Sequence, residues 1–281
     1  MMGKMNSIFL FVLFYFSAAC QTRQSMNELK VGNVNGVRIP LSHTEAPWAL
    51  TLIVLGRDRS VGFCSGAVVG YPPSIVTARH CLNDEQGSPS RRIFIANDRN
   101  VSRNQARNED YLERNTLEIT KWVGIKKAEY KKGIKNHDFI LGAVPDGFPD
   151  LLEAQYPLFI ESFPENDDLG AIKIKRLELY GGAPPTDRNI SSREYIKVDL
   201  NPSTTQLYDN LILSIEDIVS RGGDSGGALI ATIEDDLGST YKRVIGILKG
   251  KNSETPLHQI FVALSQDRLV NLNLRQINCL R

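Results

Sequence analysis

The segment Arg221-Gly222-Gly223-Asp224-Ser225-Gly226-Gly227-Ala228 sets one hydroxyl between two pairs of glycines. A serine is a poor nucleophile alone; it needs a base for its proton and donors aimed at the oxyanion formed when it attacks a carbonyl. Glycines on both sides let the backbone turn tightly and approach such a carbonyl with no side chain in the way. The same string could merely join two strands, so a partnering base decides its meaning.

A base is offered by Thr77-Ala78-Arg79-His80-Cys81, directly after the apolar pair Ile75-Val76. A histidine at a strand end sits on a rigid support for proton transfer. A lone histidine is more often structural; its pairing with the glycine-rich serine shifts that reading toward chemistry. A third group must hold the imidazole in one tautomer and stabilise it once protonated. Asp138 suits this role, because Asn136-His137-Asp138 opens the apolar run Phe139-Ile140-Leu141 and puts a carboxylate at a strand mouth. An acid there is also a common edge or turn residue, and Asp146 and Asp98 compete. Its place between the histidine and the serine in chain order favours Asp138.

The elements that must position these residues read as β-structure. From Trp48 onward short apolar, β-branched runs alternate with turn residues, the signature of a barrel or sandwich. The strand candidates are 49–55, 66–69, 75–77, 93–96, 139–144, 177–180, 196–200, 211–215, 228–233, 244–248 and 260–264. Helical periodicity stands out only at the end, where Ser265 caps a run presenting Leu269, Val270 and Leu274 on one face. Residues 83–92, 97–115, 130–136 and 183–193 are polar and read as surface loops. Residues 145–164 read as a connection between two halves.

The 281 residues allow a unit of two barrels plus a leader, and 33 Lys+Arg against 32 Asp+Glu leave no global field to recruit nucleic acid or an anionic membrane. Lys4, the unbroken apolar run 8–16 and Ser17-Ala18-Ala19 read as a signal peptide over 1–19, too short for an ordinary membrane span. Cys20 after small residues resembles the bacterial lipobox, which implies lipid on Cys20; plain cleavage near Ala19 is the alternative. Residues 20–32 then form a tether or pro-segment. The remaining cysteines, Cys64, Cys81 and Cys279, allow one pair and leave one thiol over in an oxidising compartment. There is no Gly-Lys-Ser phosphate loop, no Cys-x-x-Cys pair, no basic-aromatic patch and no EF-hand spacing, so no cofactor, metal or nucleic-acid partner is expected.

Taken together the motifs resemble the chymotrypsin/trypsin serine proteases, in an exported bacterial form. Thr77-Ala78-Arg79-His80-Cys81 is similar to that family's Thr-Ala-Ala-His-Cys, Asp138-Phe139-Ile140-Leu141 to its Asp-Ile-Ala-Leu, and Gly223 to Ala228 to its Gly-Asp-Ser-Gly-Gly-Pro. Chain order His, Asp, Ser is also that of chymotrypsin. Phe63-Cys64-Ser65-Gly66-Ala67 resembles the family's Phe-Cys-Gly-Gly-Ser, which implies a Cys64–Cys81 disulfide. The match runs from about Asn33 to the C-terminus. It implies an all-β fold of two antiparallel six-stranded barrels with a C-terminal α-helix, domain 33–281, the junction near 145–165. It further implies endopeptidase chemistry on a protein or peptide substrate: Ser225 as nucleophile, His80 as base and acid, Asp138 orienting His80, and the N–H groups of Gly223 and Ser225 as the oxyanion hole.

Departures from the pattern bear on activation and specificity. The family's new N-terminal ammonium pairs with the residue matched by Asp224, but this chain has Asn33-Val34-Asn35-Gly36 where Ile-Val-Gly-Gly is usual; cleavage after Lys30 or Arg38 would expose Val31 or Ile39 instead. Val219 occupies the position of the acid that selects Arg and Lys, and Arg221 replaces a pocket cysteine. Val219, Ser220, Leu248 and Lys249 are the expected pocket lining, with a preference for apolar or small side chains. Two other readings compete. Gly223 to Gly227 also fits the Gly-x-Ser-x-Gly elbow of α/β-hydrolase esterases, although only His258 follows the serine. An inactive protease homologue serving as a binding module is the other.

Overall fold

The run Ala49–Leu55 (β2) is apolar at nearly every position, and all but its last residue are buried. Such a run belongs to a strand covered on both faces. In the computed structural model of the chain, which describes residues 38–41, 44–56, 60–70, 72–82, 92–98, 100–123, 138–149, 156–164, 169–183, 194–208, 211–215, 222–251 and 258–271, both covers are visible. One face joins the largest core cluster through Leu52 and Val54, and the other meets a separate cluster through Ile53.

The second cover is helical. Arg103–Arg107 (α1) and Glu109–Asn115 (α2) bury Ala106 and Leu112 against Ile53, Phe63 and Phe94. These helices correct the expectation that 97–115 is a surface loop. Each presents one buried apolar residue, too few to leave a periodic stripe, and local capping sets their ends. Ser102 accepts from the Gln105 N–H at 3.2 Å while the Gln105 side chain accepts from the Ser102 N–H at 2.9 Å. Asn108 caps α2 by accepting from the Tyr111 N–H at 3.1 Å.

Around β2 lies an antiparallel sheet of Val61–Val69 (β3), Ser74–Thr77 (β4), Arg92–Ala96 (β5), Thr116–Glu118 (β6), Trp122–Val123 (β7) and Ile140–Ala143 (β8), in the order β6-β5-β2-β3-β4-β8-β7. A second sheet holds Arg38–Pro40 (β1), Ile174–Ala183 (β10), Glu194–Leu200 (β11), Thr205–Tyr208 (β12), Leu211–Ile215 (β13), Ala228–Glu234 (β14), Thr240–Lys251 (β15) and His258–Ala263 (β16), in the order β1-β11-β10-β14-β15-β16-β13-β12. Leu158–Phe159 (β9) adds to it in parallel beside β15. The two curled antiparallel sheets are those expected for the two barrels; the strands not foreseen, β1, β6, β7, β9 and β12, have two to four residues each. The 145–164 connection accordingly contains β9.

Helix Gln266–Asn271 (α3) follows Ser265 and buries Leu269, as the terminal helix required. Leu177, Leu179, Ile196, Leu229 and Phe261 form the core of the second sheet. The largest cluster runs from Leu52 and Val76 in the first sheet to Tyr180, Ala228 and Val244 in the second. An α/β-hydrolase needs a mainly parallel sheet with helices on both faces. Among the described strands only β9 pairs in parallel, so that reading is set aside. No described helix is long and apolar enough to cross a membrane. The leader, Cys20, Asn33, Val219, Ser220, Arg221, Leu274 and Cys279 lie outside the described residues.

Candidate active site

Register brings the first two residues together. β4 and β8 run antiparallel with Thr77 opposite Ile140, so the chain leaving β4 meets the chain entering β8. His80 stands in a single 3-10 turn, Arg79–Cys81, three residues beyond Thr77, and Asp138 two residues before Ile140. His80 Nδ1 lies 2.7 Å from Asp138 Oδ2, and the His80 backbone N–H donates to Oδ1 at 2.9 Å. The Arg79 N–H also donates to the Asp138 carbonyl, at 3.3 Å.

An ionised carboxylate only accepts hydrogen bonds, so Nδ1 carries a proton and donates it to Asp138. Asp138 is ionised despite its burial: its side chain is 8% exposed, against 39% for His80. Burial pushes its carboxyl up. The His80 ring hydrogen bond and charge, the His80 backbone N–H and the Lys249 charge outweigh that and hold it below the ordinary value. A buried carboxylate thus orients a half-exposed imidazole through two hydrogen bonds, to its ring and to its backbone.

The serine comes from the second sheet. Ala228 opens β14 opposite Ile247 of β15 and Tyr180 of β10, and the turn before it continues both contacts. Gly226 N–H donates to the Leu248 carbonyl, and Leu248 N–H to the Gly227 carbonyl, both at 2.8 Å. Leu248 therefore serves through its main chain; its side chain, 1% exposed, packs into the second-sheet core. Lys249, the next residue, is half-buried and close enough for its charge to act on Asp138.

The two halves meet through β3. Ser65 N–H donates to the Ser225 carbonyl at 2.8 Å, and Ser65 Oγ donates to the Gly223 carbonyl at 2.8 Å. Gly226, at φ +83°, presses on the same strand: a Cβ there would lie 2.2 Å from the Ser65 carbonyl oxygen and 2.3 Å from Thr77 Oγ1. Only glycine permits that approach and that backbone conformation. Cys64 and Cys81 are joined by a disulfide, and Cys81 Sγ lies 4.0 Å from the Ser225 carbonyl oxygen, which sets the residue after His80 against the serine turn.

Among the described residues no acceptor takes the N–H of Gly223 or of Ser225, and no hydrogen bond joins the Ser225 hydroxyl to His80. Asp224 is fully buried, its carboxylate against the Gly181 backbone of β10.

The fold has counterparts. Serine protease AL20 from an extremophilic microorganism superposes with a TM-score of 0.53 at 14% identity, over 84% of this chain and 99% of its own. Protease Anisep from Arthrobacter nicotinovorans gives 0.50 at 13%, over 85% and 99%. The fold is chymotrypsin-like. No protein-family profile and no curated protein matches the sequence. In this chymotrypsin-like frame His80 and Asp138 come from the first sheet and Ser225, Gly223 and Asp224 from the second. Of the expected pocket residues, Val219 and Ser220 are outside the described residues, Leu248 gives backbone, and Lys249 flanks the Asp138 side. Ser65 was not singled out by sequence reasoning; its signal was a serine directly after Cys64 where the family pattern has glycine.

Proposed function

We propose that the chain is a serine endopeptidase working through an acyl-enzyme. Ser225 Oγ attacks the scissile carbonyl while its proton passes to His80 Nε2, and the oxyanion is taken by the N–H groups of Gly223 and Ser225. Asp138 keeps the imidazole oriented and stabilises it once protonated. His80 then gives the proton to the leaving amine as the C–N bond breaks, and a water activated by the same His80 hydrolyses the ester. The observation that carries this reading is the 2.7 Å His80–Asp138 pair next to a serine turn whose two N–H groups have no acceptor among the described residues.

The substrate is a protein or peptide with an apolar or small side chain at the cleaved bond. The preference is inferred from the sequence, where Val219 stands at the position of the acid that selects Arg and Lys in the resembling pattern. The 1–19 leader, the 20–32 tether and lipid on Cys20 assign the protein to the bacterial periplasm, held at the outer membrane, or to secretion. The Cys64–Cys81 disulfide suits an oxidising compartment of this kind.

The test is labelling of the purified protein with a fluorophosphonate probe, comparing wild type with Ser225→Ala and His80→Ala. Labelling of wild type and its loss in both variants is expected. An unlabelled wild type would instead favour the binding-module reading.

A further inference from the structure

Resting on that protease reading, we propose that Ser65 is a positioning residue for the oxyanion site, pinning through its hydroxyl the backbone that presents the Gly223 and Ser225 N–H groups. Ser65 lies in β3 of the first sheet, is fully buried, and uses every polar atom it has. Its N–H donates to the Ser225 carbonyl at 2.8 Å and its hydroxyl to the Gly223 carbonyl at 2.8 Å. The hydroxyl accepts from the Gly182 N–H of β10 at 2.8 Å, and the Ser65 carbonyl accepts from the Thr77 hydroxyl at 2.7 Å.

The geometry explains why these bonds matter to the site. The peptide unit that carries the Ser225 N–H lies between the two carbonyls that Ser65 holds. The carbonyl of that same planar unit, Asp224's, accepts from the Gly227 N–H at 2.8 Å, and with the carbonyls on both sides held as well the Ser225 N–H has little freedom to turn. Gly223, at φ +114°, belongs to a residue type with almost unrestricted torsions, so the turn needs an external restraint at this point. The hydroxyl holds the peptide unit that follows Gly223 and is itself fixed by the Gly182 N–H. Through Thr77, three residues before His80, the same serine ties the strand of the base to the turn of the nucleophile. The resembling pattern has glycine at this position, so the hydroxyl is a feature of this chain rather than of the pattern.

The test uses the full chain with Ser65→Ala and Ser65→Gly, which remove the hydroxyl, and Ser65→Thr, which keeps it. Second-order fluorophosphonate labelling rates, divided by the folded fraction from near-UV circular dichroism, are followed together with kcat and KM on a peptide amide. The expected result is a fall of up to about 100-fold in labelling rate and kcat for the Ala and Gly variants, the scale of a misplacement of about 1 Å in the reacting geometry. KM and the pH midpoint of labelling stay as in wild type, since His80 and Asp138 are untouched, and Ser65→Thr recovers most of the rate. Folded Ala and Gly variants that label at the wild-type rate, or whose loss disappears on division by folded fraction, would overturn the proposal. A wild type that never labels refutes the protease reading itself.

Discussion

Asp138→Asn isolates the orientation of His80 from every other part of the site. The side chain keeps its size, its burial and an oxygen able to accept from the His80 backbone N–H, at 2.9 Å in the native chain. The other terminal atom, 2.7 Å from Nδ1, becomes an amide nitrogen that donates instead of accepting. The ring meets this donor by leaving Nδ1 bare and carrying its proton on Nε2, where it can no longer take the proton of Ser225. A wrong tautomer in such a triad costs about 10⁴-fold in kcat, equivalent to about 5.4 kcal/mol of transition-state stabilisation. The assay is initial-rate hydrolysis of a peptide amide near pH 8, with near-UV circular dichroism showing the fold unchanged. A loss of less than about tenfold would refute the argument, because the 2.7 Å bond would then not be choosing the tautomer.

The same carboxyl carries a pH signature in stability: held below its ordinary 3.8 in the folded chain, Asp138 stabilises fully above that value, and the contribution is lost as pH falls through the lower folded pKa. Urea midpoints measured from pH 6 to pH 2.5 should therefore drop more steeply for wild type than for Asp138→Asn; parallel slopes would refute the link. Gly226→Ala must place a Cβ 2.2 Å from the Ser65 carbonyl in a left-handed conformation, and should cost at least about 3 kcal/mol, or roughly 10 °C in Tm, with labelling abolished. Replacing Cys64 and Cys81 together by serine opens a loop with a sequence separation of 17, which should remove about 3 kcal/mol from the urea-derived stability; a change below about 1 kcal/mol would show the loop already ordered without the bond.

Sequence made the long strands and the triad candidates legible because their signals are local. β2 reads as a strand from its unbroken apolar run, and His80 and Ser225 are marked by the residues on either side of them. Helices α1 and α2 left little trace, since Ala106 and Leu112 are single buried residues in polar surroundings and the caps at Ser102 and Asn108 do the rest. Strands β1, β6, β7 and β9 are ordered by their neighbours rather than by their own composition. Leu248 was expected in the pocket because of its place along the chain. Strand alternation turns its side chain into the core, and it reaches the serine turn through its backbone. The hold of Ser65 on the serine turn and on β10 depends on partners 117 to 160 residues away, which no local pattern encodes.

The contacts of β3 with the serine turn have a meaning for the life of the chain before it is finished. A half-assembled molecule, with the first sheet formed and the second still open, has His80 and Asp138 in place but no Ser65-held turn to complete the chemistry. On the proposed mechanism such a chain is harmless, both to itself and to the unfolded neighbours among which it must emerge. On that mechanism cutting power would arrive only with the docking of one sheet on the other, and the act of assembly would itself be the safety catch.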